Sequence, residues 1–266
     1  MNFDPYQVTA ATIKDPPKGF LQSFKFLGPG FILSASIVGS GELIATTILG
    51  AKAGFAAFWI IVLSCFIKVA VQLQYGKHAI LSGESTIRAF NKVPGIKIKG
   101  KSWMVWSVLG LQFLKIIQLG GMVGSTALVL KLLFPFFPVP VWAIIVGLSA
   151  SVLIYKNYYP LVEKGSLVMI GFFTIMTLVS LFLLSKTPYS FNLSDVIHGM
   201  RFHLSPELIL IAIGAFGITG VAADETIAYN YWCLEKGYAA FTGPQDNSPE
   251  REFRAQGWIN VMYLDA

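Results

Sequence analysis

Five ionisable residues lie inside long apolar runs of this sequence: Glu42, Lys68, Lys115, Asp224 and Glu225. An ionised side chain at the centre of a lipid bilayer costs about 2.5–3.5 kcal/mol on insertion scales, so such residues usually face a cavity, a partner or a substrate. The three carboxylates are the groups that could bind a cation. The two lysines, Lys68 and Lys115, could act as charge partners of these acids.

Both acidic positions follow small residues that weaken a helix. Glu42 comes directly after Gly39-Ser40-Gly41, and Asp224 and Glu225 follow a run with a glycine at every third position up to Gly220. Glycine in place of alanine weakens a helix by about 1 kcal/mol. We therefore expect helix breaks at Gly39, Ser40 and Gly41 and at Gly220. Two Gly-interrupted helices in corresponding places are typical of a transporter binding site, because unwound backbone exposes carbonyl oxygens that coordinate cations.

Structural roles remain open for several of these residues. Small residues spaced by three also let helices pack closely, so the glycines alone do not distinguish a binding site from close helix packing. Lys68 lies toward the inner end of its apolar run, where it could snorkel to the membrane surface. Lys115 lies deeper, and a structural ion pair is as compatible with the sequence as a substrate role.

The composition indicates an all-α polytopic membrane helical bundle. The 266 residues are 55% hydrophobic and only 13% charged, with a mean hydropathy of +0.64. Soluble domains carry about 25% charged residues. The net charge of +6 does not point to nucleic acid, because the basic residues lie in the loops between apolar runs. We therefore expect the lipid bilayer as a partner and no nucleic acid.

Six apolar runs have lengths that suit a bilayer core of about 30 Å. They cover residues 27–50, 55–75, 103–133, 139–155, 165–185 and 206–234. We predict a cytoplasmic tail over 1–26, six transmembrane helices over 27–236, and a cytoplasmic loop with the start of a seventh helix over 237–266. The polar stretch 76–101 and the segment around Asp195, His198 and His203 are expected to be loops.

The distribution of basic residues predicts the orientation. With a cytoplasmic N-terminus, fourteen lysines and arginines fall in inner segments and four in outer ones, as the positive-inside rule requires. We expect a multi-pass protein of the plasma (inner) membrane. The segment 254–266 leans apolar and then stops, so we expect the chain to be the N-terminal part of a longer protein. The oligomeric state stays open.

Four stretches resemble the Nramp family of divalent metal ion transporters. "LGPGFILSASIVGSGELIATTILGAKAGFAAFW" resembles the family's first helix and following loop. "SGEST" at 82–86, "VGSTALVLKLLF" at 123–134 and "FGITGVAADETIAYNYW" at 216–232 follow in matching order. The resemblance implies a LeuT-type fold of the APC superfamily, with two inverted five-helix repeats and the substrate at broken helices 1 and 6. This chain would hold the first repeat, helix 6 and the start of helix 7.

The motifs that bind metal in that family are altered here. The family's Asp-Pro-Gly-Asn on helix 1 reads Gly39-Ser40-Gly41-Glu42, and its Met-Pro-His-Asn on helix 6 reads Asp224-Glu225-Thr226-Ile227. The resemblance places the metal-binding backbone carbonyls at Ser36 and Val221. The acidic pair on helix 3 that the family links to proton movement is replaced by Gln118 and Gly121, which makes the same proton route doubtful.

These changes alter the expected chemistry of the site. Thioether sulfur favours soft transition metals, whereas carboxylates and carbonyls favour Mg²⁺, Ca²⁺ or Mn²⁺. We hypothesise a carrier in which Glu42 and Asp224 bind the cation directly and Glu225 is a ligand or a proton acceptor. The metal/substrate-binding set is then Glu42, Asp224, Glu225, Ser36, Gly39 and Val221.

Other functions are compatible with the same residues. A carrier of this fold could take an amino acid or an amine, since an acidic site also suits an ammonium group. A non-transporting membrane protein would show no substrate flux. An enzyme is not expected, because no nucleophile–base arrangement is visible in the sequence, and no cofactor is expected beyond the metal ion as substrate.

Overall fold

The computed structural model describes residues 6–9, 11–37, 40–155, 159–246 and 248–266, and for residues 40–44 and 159–160 it describes the backbone alone. In the first part of the chain the helices are α1 (Phe20–Ser23), α2 (Pro29–Ile37), α3 (Ser40–Ala53), α4 (Phe58–Ser82) and α5 (Thr86–Asn91). The middle part contains strands β1 (Lys97–Ile98) and β2 (Lys101–Ser102) and helices α6 (Trp103–Leu133), α7 (Val139–Tyr155), α8 (Tyr159–Leu184) and α9 (Leu193–Gly199). The last helices are α10 (Ile209–Ile218), α11 (Ala223–Lys236), α12 (Tyr238–Thr242) and α13 (Pro249–Asp265). Short 3₁₀ turns at Gly54–Ala57 and Pro206–Leu208 precede α4 and α10.

The expected all-α membrane bundle is confirmed. Within the described residues, four helical stretches are long and apolar enough to cross a bilayer: Ala45–Ser82, Trp103–Leu133, Leu161–Leu184 and Pro206–Lys236. The apolar helix Val139–Tyr155 is shorter. The first apolar run of the sequence forms two helices, α2 and α3, on either side of residues 38–39, which lie outside the description.

Helix α8 shows the surface expected of a lipid-facing span. Its apolar side chains are largely uncovered; Val168, Phe172 and Ile175 are 73%, 61% and 60% exposed. Apolar surface of this extent would be unfavourable in water. In a bilayer the same side chains lie in hydrocarbon, which accounts for their being left bare.

The polar stretch 76–101 was expected to be a loop, and that prediction was wrong. Helix α4 continues to Ser82 and ends at Gly83, which has a φ of +64°. The extension follows from packing, because Ala79 and Ile80 are fully buried in a core cluster. Helix α5 and the β1–β2 hairpin occupy most of the remainder. Asp195 and His198, also expected in a loop, lie in the short helix α9.

Chain contacts divide the structure into two compact units, residues 1–89 with 165–266 and residues 90–164. In the second unit α6 packs against α7. Lys99 and Gly100 both have positive φ values of 50° and 74°, as a two-residue turn that matches strand twist requires. The Ser102 hydroxyl accepts the Met104 N–H and so caps α6 at 3.4 Å.

The first unit is built around two buried clusters. The larger joins α2, α4 and the helices α11–α13, and its fully buried side chains include Tyr229, Tyr238, Trp258 and Met262. The smaller cluster includes Leu49 of α3 and Ala212 and Ala215 of α10. Accordingly α2 packs against α11, and α3 packs against α10. Each half of helix 1 thus contacts the opposite half of helix 6.

The segment before α1 is docked on the end of this first unit. The Lys14 N–H donates to the Phe241 carbonyl at 3.1 Å, and the Trp258 indole N–H donates to the Lys14 carbonyl at 2.9 Å. The Tyr6 hydroxyl donates to the Glu235 carboxylate at 2.8 Å. The N-terminal segment therefore contacts the same helices that follow the helix 6 break.

Candidate metal-binding site

Helix 6 is interrupted at residues 219–222. Helix α10 ends at Ile218 and α11 begins at Ala223. Gly220 has a φ of +73°, a left-handed conformation that residues with a Cβ adopt only at a cost of about 1–2 kcal/mol. A Cβ built at Gly220 would lie 3.5 Å from the Cys65 Cα, which is ordinary contact. The glycine is therefore required by the backbone conformation rather than by lack of space.

Asp224 and Glu225 lie in the first turn of α11, directly after the break. Glu225 is 9% exposed, and its Oε2 accepts the Ala222 N–H at 2.9 Å. This contact satisfies one of the N–H groups that a helix start leaves unpaired. Asp224 is half-buried. Both carboxylates are favoured by the positive end of the α11 dipole, and Glu225 has a structural role in capping that the sequence analysis did not identify.

The two predicted carbonyl ligands lie near this break on packed elements. Val221 is within the interruption and is 5% exposed. It shares a core cluster with Leu33 of α2, one turn before Ser36. The Ser36 hydroxyl donates to the Leu33 carbonyl at 2.7 Å. Ser36 lies in the last turn of α2, where helix carbonyls lack partners within the helix.

The structure places the helix 1 residues less completely. Gly39 lies outside the described residues. Ser40, Gly41 and Glu42 are the first three residues of α3, so Ser40 and Gly41, which were expected in a break, are helical. The Glu42 side chain is not among those described, but its backbone is in the first turn of α3. Glu42 thus lies in the first turn of α3, and Asp224 lies in the first turn of α11.

Lys68 of α4 is placed at the broken end of α10. Its ammonium donates to the carbonyl oxygens of Phe216, Gly217 and Thr219 at 2.7, 2.9 and 2.7 Å. The Ser64 hydroxyl lies one turn earlier on α4 and donates to the Phe216 and Thr219 carbonyls at 2.8 and 3.0 Å. The hydrogen bonds that hold Lys68 therefore run to the last turn of α10 and to the first residue of the interruption. Lys115 lies half-buried in α6, in the second unit.

Asn230 is a residue that the sequence analysis missed. It is fully buried in α11, and its Oδ1 accepts the Thr86 N–H at 3.0 Å. Its Nδ2 donates to the carbonyls of Tyr75 and Glu84 at 3.3 and 3.4 Å. Asn230 therefore fixes the "SGEST" loop at 82–86 to the second half of helix 6. An asparagine within a run of apolar and aromatic residues was the available signal.

Asp265 makes a second long-range contact, at the start of helix 1. Its two carboxylate oxygens accept the N–H groups of Gly28 and Gly30, each at 2.7 Å. A Cβ on Gly30 would overlap the Asp265 backbone carbonyl. The glycines of "LGPGF" thus allow the end of α13 to bind the N-terminus of α2. The sequence held no signal for this contact, because the residues are more than 230 positions apart.

The acids do not form a complete metal site within the part of the chain whose side chains are described. No group of three histidine, cysteine, aspartate or glutamate residues is gathered there closely enough to hold a metal ion. Glu42 was outside that comparison. The proposed donor set therefore needs Glu42 and backbone carbonyl oxygens in addition to the helix 6 acids.

A comparison with known protein families shows to which family of membrane proteins the chain belongs. The family model described as "Natural resistance-associated macrophage protein-like", Nramp, matches residues 30–223. The chain belongs to the Nramp family. It is accordingly an integral, multi-pass membrane protein and a transporter of divalent metal ions, with the LeuT-type fold that this family implies. Nramp proteins are transporters rather than enzymes, which supports the expected lack of enzymatic function.

The match has a defined limit at helix 6. It includes Ser36, Gly39, Glu42 and Val221, and it ends at residue 223, one position before Asp224. No curated protein matches the chain. The family match therefore supports divalent metal transport in general and does not extend to Asp224 or Glu225.

Proposed function

We propose that this Nramp protein moves a hard divalent cation, such as Mg²⁺ or Mn²⁺, across the membrane by alternating access. The observation that carries this proposal is the interruption of helix 6, with Asp224 in the first turn after it. Carboxylate and carbonyl oxygens are ligands that hard cations prefer, and the methionine that the family uses here is absent.

The proposed ligands come from both broken helices. Glu42 and Asp224 supply carboxylates, and Ser36 and Val221 supply backbone carbonyls. The packing of α2 against α11 supports this assignment. The Lys236 ammonium at the end of α11 donates to the Leu27 carbonyl before α2 at 3.1 Å, so the two helices run antiparallel and the end of α2 lies toward the start of α11. Glu225 caps α11 through Oε2, and we also assign its carboxylate to the cation or to a proton.

Alternating access is supported by how the half-helices pair. In transporters with broken helices, one bundle rocks against the rest of the protein around a fixed central site. Here α2 packs with α11, and α3 packs with α10. The segments that join α2 to α3 and α10 to α11 therefore connect one packed pair to the other. A movement of one pair relative to the other would open the site to one side of the membrane.

The site assignment is tested by metal uptake into liposomes containing the purified full-length protein. We expect Glu42→Gln and Asp224→Asn each to lower Mn²⁺ uptake by at least about tenfold, since even outer-shell changes at metal sites commonly cost that much. Glu207→Gln is the matched control, because Glu207 is an exposed acid before α10 and should leave uptake unchanged. Normal uptake by both site variants would refute the assignment.

We also propose that the N-terminus faces the cytoplasm and that the protein lies in the plasma (inner) membrane. The excess of basic residues in alternate loops supports this orientation. In a background with Cys65 and Cys233 replaced by alanine, single cysteines at Ile96 and Tyr189 probe the two sides, since these side chains are 73% and 82% exposed. A membrane-impermeant thiol reagent applied to intact cells should label only the cysteine at 189. Labelling at 96 alone would reverse the orientation.

A further inference from the structure

The broken end of α10 forms a cluster of oxygen atoms around a single positive charge. The final carbonyls of a helix have no partners within that helix. At this end the carbonyls of Phe216, Gly217 and Thr219 all accept from the Lys68 ammonium, at 2.7–2.9 Å. A lysine ammonium is a compact charge with three donors, a number that matches these three carbonyls.

Similar clusters of backbone carbonyl oxygens bind small monovalent cations in channels and transporters. Rings of backbone carbonyls replace the hydration shell of such an ion, and the C-terminal ends of half-helices coordinate Na⁺ in broken-helix transporters. Lys68 reaches the cluster from α4, and its Cδ lies 3.7 Å from the Cβ position of Gly220. The charge is therefore supplied by a side chain tethered to the neighbouring helix.

The cluster has more oxygen ligands than an ammonium can use. The Ser64 hydroxyl contacts two of the same carbonyls, at 2.8 and 3.0 Å. The Thr219 hydroxyl is buried and has no hydrogen-bond partner among the described residues. Buried polar groups in native proteins are nearly always paired, so this hydroxyl is a spare oxygen that a small ion in place of the ammonium can use.

We propose that Lys68 is a built-in cation that fills a monovalent-cation site at the helix 6 break. The wild-type protein then binds no free Na⁺ at this cluster, and shortening Lys68 opens the site to Na⁺ or ammonium. The tethered charge also repels a divalent ion from these carbonyls and confines the transported metal to the carboxylate side of the break. This inference goes beyond the proposed function, because it concerns the binding of a monovalent cation, which is measured through thermal stability and not through metal uptake.

The test compares the thermal stability of the purified full-length protein in sodium chloride, ammonium chloride and choline chloride at equal ionic strength. Wild-type protein should have the same Tm in all three salts. Lys68→Ala should lower the Tm in choline by about 4–10 °C, because buried carbonyls lose their partner, and Na⁺ or ammonium should restore it in a saturable manner. Lys68→Met should be equally destabilised but not restored, since its side chain fills the space without donating.

Lys52→Ala is the control, because Lys52 is an exposed lysine at the end of α3 and should show wild-type behaviour. The proposal is overturned if Lys68→Ala or Lys68→Met is as stable as wild type in choline, or if neither ion restores the alanine variant. If Lys68→Ala does not fold, the proposal is still tested by the Tm of the wild-type protein in the three salts and by the Tm of Lys68→Met in choline. Specific stabilisation of wild type by Na⁺ over choline would show that the ammonium does not fill the site.

Discussion

Lys68 shows how backbone oxygens can hold a charge within a membrane span. The sequence left two interpretations of Lys68 open, snorkelling to the membrane surface and a partner within the membrane. It did not indicate that three carbonyls some 150 positions away would accept from its ammonium. The glycine at the break was predictable, since positive φ at Gly220 reflects a local property of the residue. The partners were not, because they arise only when α4 packs against α10.

Asn230 illustrates the same difference between local and long-range information. Its amide bonds to the backbone at Tyr75, Glu84 and Thr86. Nothing in the spacing of the sequence connects Asn230 to "SGEST", although both stretches resemble the family. The structure connects the two stretches, because one side chain satisfies the backbone of the loop.

Replacement of Asn230 by leucine should destabilise the protein by about 2–4 kcal/mol, because it leaves buried N–H and carbonyl groups without partners. The measurement is the Tm of the purified protein, which should fall clearly. Asn260→Leu is the matched control, since Asn260 is an exposed asparagine on α13. Equal stability of the two variants would mean that the three bonds of Asn230 contribute little.

Among the elements, the broken helices define the candidate site. Helix 6 is interrupted between α10 and α11, whereas the break expected in helix 1 centres on Gly39, which lies outside the described residues. Helix α2 packs with α11 and α3 with α10. The boundaries of α4 were less predictable. Its polar last turns are helical because Ala79 and Ile80 pack into the buried cluster, and packing of this kind overrides local polarity.

Helix α13 is coupled to helix 1 through Asp265, which binds the N–H groups of Gly28 and Gly30. Hydrogen bonds to a charged acceptor are worth about 1.5–3 kcal/mol, and the carboxylate also complements the positive end of α2. Because α2 carries Ser36 at its other end, this contact positions one of the proposed ligands from a distance. Helix α2, which carries this proposed ligand, therefore packs against both α11 and α13.

We expect Asp265→Ala to loosen the first turn of α2. Hydrogen–deuterium exchange over residues 28–37 should become faster, and the Tm should fall by a few degrees, since about 2–4 °C accompany each kcal/mol lost in a chain of this size. Glu252→Gln on the same helix is exposed and should change neither. Unaltered exchange in Asp265→Ala would show that α2 is fixed by other contacts.

For the whole molecule, the class of protein was the property most predictable from the sequence, and the identity of the transported cation was the least predictable. Apolar runs of span length and the "LGPGF" region led to a membrane carrier of the Nramp type, which the match over residues 30–223 confirms. The ligand chemistry depends on a few side chains. The resemblance implies that Asp224 takes the place of the family's methionine, and this expected exchange of sulfur for oxygen underlies the proposal of a hard cation.

The most direct test is competition for Mn²⁺ uptake by Mg²⁺ and Cd²⁺ in liposomes containing the wild-type protein and Asp224→Met. A hard oxygen site should be inhibited more strongly by Mg²⁺ than by the soft ion Cd²⁺. Restoring a thioether at position 224 should reverse that order. Stronger inhibition of the wild-type protein by Cd²⁺ than by Mg²⁺ would contradict the account, whatever the variant does.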